Sequence, residues 1–253
     1  MPAPAELALA VAMAAAAGLA GSIAVMRRMA LASDALSHVA LPGIGLAIMF
    51  HINPLVGGLA ALLLGTILIW AIGQRTRIPM EAVTGVIFSA ALAAGAMLTP
   101  GADLVDALFG SPAALGRGEI VFGLAAAAIV ITFLMRARSR LMIRLVSPDL
   151  ARTTGIDVAR LDLLFLLSFA LTVALGLRYL GALLMGSLII IPAATAMQRA
   201  RSLRTLQIAA VLLAAGATVA GALGAPLLHV ASGPLTIVIA AAVFAASLAF
   251  WKT

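Results

Sequence analysis

Apolar residues run almost without interruption along this chain, and the polar breaks between the runs set the elements it predicts. The runs fall at about 7–26, 29–50, 54–73, 80–98, 120–135, 161–177, 179–197, 206–223 and 234–250. At about 1.5 Å of rise per residue, most are long enough to cross a hydrocarbon core of about 30 Å as α-helix. Runs 120–135 and 161–177 are short and are expected to extend into their flanks. The 29–50 and 179–197 runs are the most interrupted. The pattern therefore predicts nine spans, or eight full spans and a broken one. Transmembrane barrels show short alternating segments instead. The fold class is all-α: a polytopic transmembrane helical bundle of about 8–9 spans, forming one domain over residues 1–253.

Two connections are long. One, 99–119, carries Asp103, Asp106 and Glu119, and its "DLVDALF" reads as a short helix at the interface. The other, 136–162, is the most charged part of the chain. Within it Ser147 reads as a helix cap and Pro148 as a first-turn residue. Asp149 favours the positive end of that helix, and Gly155 is a stop after Thr154. The prediction is a short surface helix over about 148–154, including Leu150, Ala151 and Arg152. It is either a solvated turn or a docking element for a partner.

Composition agrees with the pattern. The chain is 64% hydrophobic and 10% charged, with a mean hydropathy of +1.20. Soluble domains run near half apolar and a quarter charged. Cysteine is absent, which excludes disulfides, zinc–thiolate sites and thiol redox motifs. No Lys or Arg precedes the first apolar run, so it reads as a retained span rather than a cleaved signal.

The net charge of +7 reads as topology rather than nucleic-acid binding. With nine spans and the N-terminus outside, only Arg117 and Arg178 of the 16 basic residues fall on the outer side. Basic residues collect on the cytoplasmic face, so N-terminus out and C-terminus in is the expected orientation in a cell membrane. Segment 136–160 then faces the cytoplasm.

One stretch carries chemistry. "SDALSHVALPGIGLA" (33–47) places Asp34 and His38 four residues apart, on one helix face. Measured from Arg28, Asp34 lies about 9 Å deep and His38 about 15 Å deep. A charged Asp at depth costs about 2.5–3.5 kcal/mol, so such residues face a bundle interior or an aqueous path. Ser33 and Ser37 lie beside them. Pro42-Gly43 interrupts the helix, because Pro42 has no N–H for the carbonyl of His38. A broken helix beside ionisable groups is typical of a transport site. Three readings stand: a structural pair between helices, a proton relay, and a transient metal site. Asp oxygen and His nitrogen together suit zinc or manganese. One chain supplies two ligands; two copies about a two-fold axis would supply four. His51 and His229 fall at outer ends of spans, as solvated side chains or as outer-mouth metal contacts.

Four stretches resemble one family, the zinc and manganese ABC importer permeases: "SDALSHVALPGIGLA", "LFGSPAAL" (108–115), "SPDLARTTGIDVARL" (147–161) and "LGALLMGSLIIIPAATA" (180–196). They keep the family's order and approximate spacing, so the resemblance covers essentially the whole chain. It implies the membrane subunit of an ATP-driven metal importer, similar in fold to the vitamin B12-type permeases. It also implies a homodimer, two cytoplasmic ATPase subunits and an extracytoplasmic metal-binding protein. The family's intramembrane metal motif falls on Asp34 and His38, and its coupling segment on Ser147 to Val158. Position 33 is often Gly in the family and is Ser here. No bound cofactor is implied, only transported zinc or manganese.

The sequence contains no GxxxxGK[ST] stretch, so the ATPase is expected in another chain, with the basic segment 136–160 as the cytoplasmic coupling segment it docks on, and the permease itself is expected not to be an enzyme. In the late motif, Ala182 and Gly186 have small-xxx-small spacing, and Pro192 is expected to kink or end the helix. The competing functional class is a secondary cation carrier or channel using Asp34 and His38 as a relay. A purely structural scaffold sits poorly with a mid-membrane Asp34.

Overall fold

The computed structural model describes residues 3–29, 32–98, 116–179 and 182–249. The 108–115 stretch, Asp103 and Asp106 with their expected interfacial helix, and Lys252 lie outside the described residues, as do the side chains of Arg178 and Ala182.

Eleven helices make up the described chain. They are α1 (Pro4–Met26), α2 (Ala32–Val39), α3 (Leu41–Met49), α4 (Pro54–Arg75), α5 (Met80–Leu98) and α6 (Arg117–Val146). After them come α7 (Pro148–Thr153), α8 (Val158–Tyr179), α9 (Ala182–Met197), α10 (Leu203–Leu228) and α11 (Ser232–Ala249). Eight segments are long and apolar enough to span a membrane, with α2 and α3 together making one of them, Ala32–Met49. A shorter apolar helix, Leu184–Met197, is the ninth. The chain is thus a multi-pass membrane protein, and its two irregular spans are those whose apolar runs were most interrupted.

The sequence pattern errs over 136–162. Residues 136–146 are not part of a loop; they continue α6, which runs unbroken for 30 residues. No Gly or Pro lies between Gly123 and Ser147, and the Arg, Ala, Leu and Met that dominate 136–146 all favour helix. The arginines mark where α6 leaves the lipid, not where it ends. The link from α6 to α8 is therefore only residues 147–157, with α7 inside it. Pro192 does not end α9 either, since the helix continues to Met197.

α1 is the central post. Its Ala- and Gly-rich stretch 16–24 is buried throughout, and it packs against α6, α8, α9 and α10. Small side chains permit this: a Cβ on Gly21 would overlap the carbonyl of Ile189 in α9. α2 is surrounded by α4, α5, α8 and α9. α3 and α4 form a close hairpin, in which a Cβ on either Gly43 or Gly57 would strike the other's carbonyl oxygen. Asn53 caps α4 by accepting a 2.9 Å hydrogen bond from the Leu55 N–H, ahead of Pro54.

Candidate functional site

The site grows from the break between α2 and α3. α2 ends at Val39, Ala40 forms the turn, and α3 restarts at Leu41 with Pro42 in its first turn. Pro42 has no N–H to return to the His38 carbonyl, which is why one apolar run becomes two helices. Ala40 itself keeps helical dihedrals (φ −70°, ψ −26°), and the Ile44 N–H bonds its carbonyl at 3.0 Å. The chain bends here without leaving the helical path.

α2 carries Asp34 and His38 one turn apart. Ser33 and Ser37, which flank them, are buried at 1% and 2% exposure. Ser37 Oγ donates to the carbonyls of Asp34 (2.7 Å) and Ser33 (3.3 Å), so the serine hydroxyl is consumed by its own helix. Asp34, by contrast, is exposed and His38 is half-buried. The Asp34 side of α2 meets α9 at Gly186, where an added Cβ would sit 3.7 Å from Asp34 Oδ1. The His38 ring lies against Phe88 of α5, with centroids 5.5 Å apart and planes tilted by 58°. The carboxylate and imidazole therefore sit on one stripe between α5 and α9, with the carboxylate open and, among the described residues, no basic side chain paired to it. A borderline or moderately hard divalent ion suits such an O/N donor pair.

His51 and His229 do not join that pair. Each follows a helix, α3 and α10 respectively, in the left-handed conformation, with φ of 55° and 54°. The Ile52 N–H reaches back to Ala47 O (2.8 Å) and the Val230 N–H to Ala225 O (3.2 Å), which makes both histidines Schellman-type caps. Both are exposed. Among the described residues, no three His, Asp or Glu side chains gather into a metal-binding group.

At the other end of the bundle, α7 forms where the sequence places it. Ser147 Oγ accepts from the Leu150 N–H at 3.2 Å, Pro148 opens the helix, and Asp149 lies in its first turn. Gly155 follows at φ +77°, closing the helix through Gly155 N–H to Arg152 O and Ile156 N–H to Ala151 O. Ala151 is fully buried and holds the helix down, while Leu150 is 51% exposed and faces outward. Asp149 and Arg152 make only an exposed 3.3 Å pair.

Sequence reasoning missed a buried ion cluster beside α7. Asp162, in the first turns of α8, accepts from Arg27 Nη2 at 2.6 Å through Oδ1. Its Oδ2 accepts from Arg144 Nη2 at 2.9 Å and Nε at 3.1 Å. The Asp162 side chain is 5% exposed and that of Arg27 is 9% exposed. The Arg27 guanidinium also lies 4.5 Å from the centroid of the Phe165 ring, a cation–π contact. Burial pushes Arg27 below its ordinary range, the Asp162 charge and hydrogen bond pull it back up, and nearby Arg144 opposes them. The cluster fastens three helix ends: the residue after α1, the last turn of α6 and the start of α8. Trp70 adds α4 by donating from Nε1 to the Ala159 carbonyl at 2.9 Å. Arg27 and Asp162 are 135 residues apart, so only the presence of a lone Asp near an inner boundary could have hinted at the pairing.

The fold and the site define a class: a polytopic helical membrane permease with an Asp–His pair beside a broken helix. A model of the ABC 3 transport family matches residues 4–251, and the chain belongs to that family, as its motifs implied. It is 30% identical over 235 residues to the high-affinity zinc uptake system membrane protein ZnuB of Haemophilus influenzae, covering 90% of this chain and 89% of that one. It is also 30% identical over 235 residues to the manganese import system permease protein ScaB of Streptococcus gordonii, covering 91% and 84%. Among solved structures, PsaBC from Streptococcus pneumoniae in complex with Fab aligns with a TM-score of 0.81 at 27% identity, covering 96% of this chain and 89% of that one.

Proposed function

We propose that this chain is the membrane permease of an ATP-driven importer that moves a divalent transition-metal ion, zinc or manganese, across the cytoplasmic membrane by alternating access. The observation that carries the proposal is the open carboxylate of Asp34 one turn from His38, at a helix break between α5 and α9. The relatives named for zinc uptake and manganese import support the choice of cargo.

In this mechanism two copies of the chain face each other, and Asp34 and His38 of both hold the ion briefly. Four O/N ligands suit a tetrahedral zinc or a manganese that keeps some water. An extracytoplasmic binding protein delivers the ion on the side of His51 and His229, which make outer-mouth contacts. ATPase subunits dock on the opposite side against α7, through Leu150 and the exposed Asp149 and Arg152. Nucleotide-driven movement of α7 reaches the helix bundle and changes which side of the site is open, while the close contact at Gly43 moves α3 with α4 as one body and the looser contact at Gly186 lets α9 shift past Asp34. The N-terminus lies outside and the C-terminus in the cytoplasm. No covalent chemistry takes place in this chain.

The test is metal uptake into proteoliposomes that hold the permease with its ATPase. Wild-type uptake is expected to require ATP and to resist a protonophore. Asp34→Ala and His38→Ala are each expected to lower uptake at least about tenfold, one lost ligand costing well over 1.4 kcal/mol, while the ATPase still co-purifies. Uptake without ATP that a protonophore stops would show a secondary carrier instead.

A further inference from the structure

α6 carries a second feature that transport does not use. A shallow, open groove runs along it, and every described residue that lines it belongs to α6: Ala128, Ile129, Thr132, Phe133, Arg136 and Arg140, with Ala137 at its base. The stripe is apolar at one end and doubly cationic at the other. From Arg117, at the start of α6, to Arg136 is 19 residues, or about 28 Å, close to one hydrocarbon thickness. Arg136 therefore sits at the hydrocarbon edge on the α7 side, and Arg140 about 6 Å further out, at headgroup depth. Ile129 and Phe133 lie inside the hydrocarbon.

Three details separate this groove from ordinary basic decoration of a membrane edge. First, the ion pairs among the described residues engage Arg27, Arg144 and Arg152, and leave Arg136 and Arg140 without a carboxylate. Second, the two guanidinium groups are spaced i, i+4 and share one helix face, a spacing suited to a phosphate between two forks. Third, the Thr132 hydroxyl has no hydrogen-bond partner among the described residues. Thr66, Thr84, Thr172, Thr195 and Thr218 all return theirs to the carbonyl four residues back. Thr132 is exposed one turn inside Arg136, on the hydrocarbon side, at a depth where water is scarce.

We propose that this groove binds one anionic phospholipid of the leaflet on the α7 side. Its phosphate lies between Arg136 and Arg140, an acyl chain follows Phe133 and Ile129, and the ester carbonyl at the head of that chain is the nearest acceptor for the Thr132 hydroxyl. A free phosphate would leave the apolar half of the groove uncovered, so the occupant is a lipid. The site is independent of the metal-import reading.

The test is native mass spectrometry of the full-length permease, released from nanodiscs of mixed phosphatidylglycerol and phosphatidylcholine. The wild-type protein is expected to retain phosphatidylglycerol over phosphatidylcholine, and Arg136→Gln/Arg140→Gln to lower that preference on the order of tenfold. Arg138→Gln serves as the control, because Arg138 is also exposed on the same helix but does not line the groove. It is expected to keep the wild-type preference. Equal losses in the control and the double variant would reduce the effect to bulk charge and overturn the proposal. So would an unchanged double variant, or a wild-type protein that retains no lipid because another protein surface covers the groove. All three substitutions fall on exposed side chains, and size-exclusion chromatography checks that the variants remain folded.

Discussion

A hydrogen atom at position 186 leaves the Asp34 carboxylate its room. An added methyl would stand 3.7 Å from Oδ1, an ordinary van der Waals contact, whereas a longer side chain would lie over the carboxylate. Gly186→Ala is therefore expected to retain most uptake, and Gly186→Leu to lose it while leaving the protein inserted and folded. Uptake assays on the two variants check this, and equal activity in both would show that Asp34 does not need that space. At this scale the sequence was most informative where chemistry is local. Asp34 and His38 share a face because of a four-residue spacing, and Ser147 and Gly155 bound α7 because capping and left-handed backbone are local demands. The left-handed backbone of His51 and His229 was not legible, because that conformation normally signals itself with Gly.

Helix ends are where the elements couple. Asp162 holds Arg27 and Arg144 together and so fixes α1, α6 and α8 around α7. Removing one partner from a buried ion pair costs about 3–5 kcal/mol, because the charges left behind stay desolvated. Asp162→Ala leaves two mutually repelling guanidinium groups and is expected to cost at least that much. Thermal unfolding in detergent checks it: a midpoint well below wild type is expected, and an unchanged midpoint would mean that water already reaches the cluster. Element boundaries follow the sequence where Pro, Asn or Ser punctuates the chain, as at Pro54 and Ser147. They depart from it at 136–146, where the charges suggest a helix end but local propensity continues the helix.

For the whole molecule, the number of spans is readable because each needs about 20 apolar residues, but their neighbours are not. α1 and α11 are both almost uniformly apolar. Yet 67% of the span window of α1 is buried inside the bundle, against 11% for α11. Lipid and protein interior look alike to an aliphatic side chain, so periodicity separates them poorly, and packing by small residues such as Gly21 decides which helix is central. The position of α2 between α5 and α9 follows from that packing and turns two ordinary polar residues into a candidate metal site.

The most direct measurement is zinc K-edge X-ray absorption on the purified permease–ATPase complex, trapped with a non-hydrolysable nucleotide and stoichiometric zinc. The account predicts a shell of light N/O donors with clear imidazole scattering, which disappears in His38→Ala. Imidazole scattering that survives in His38→Ala unchanged would place the ion elsewhere and contradict the assignment.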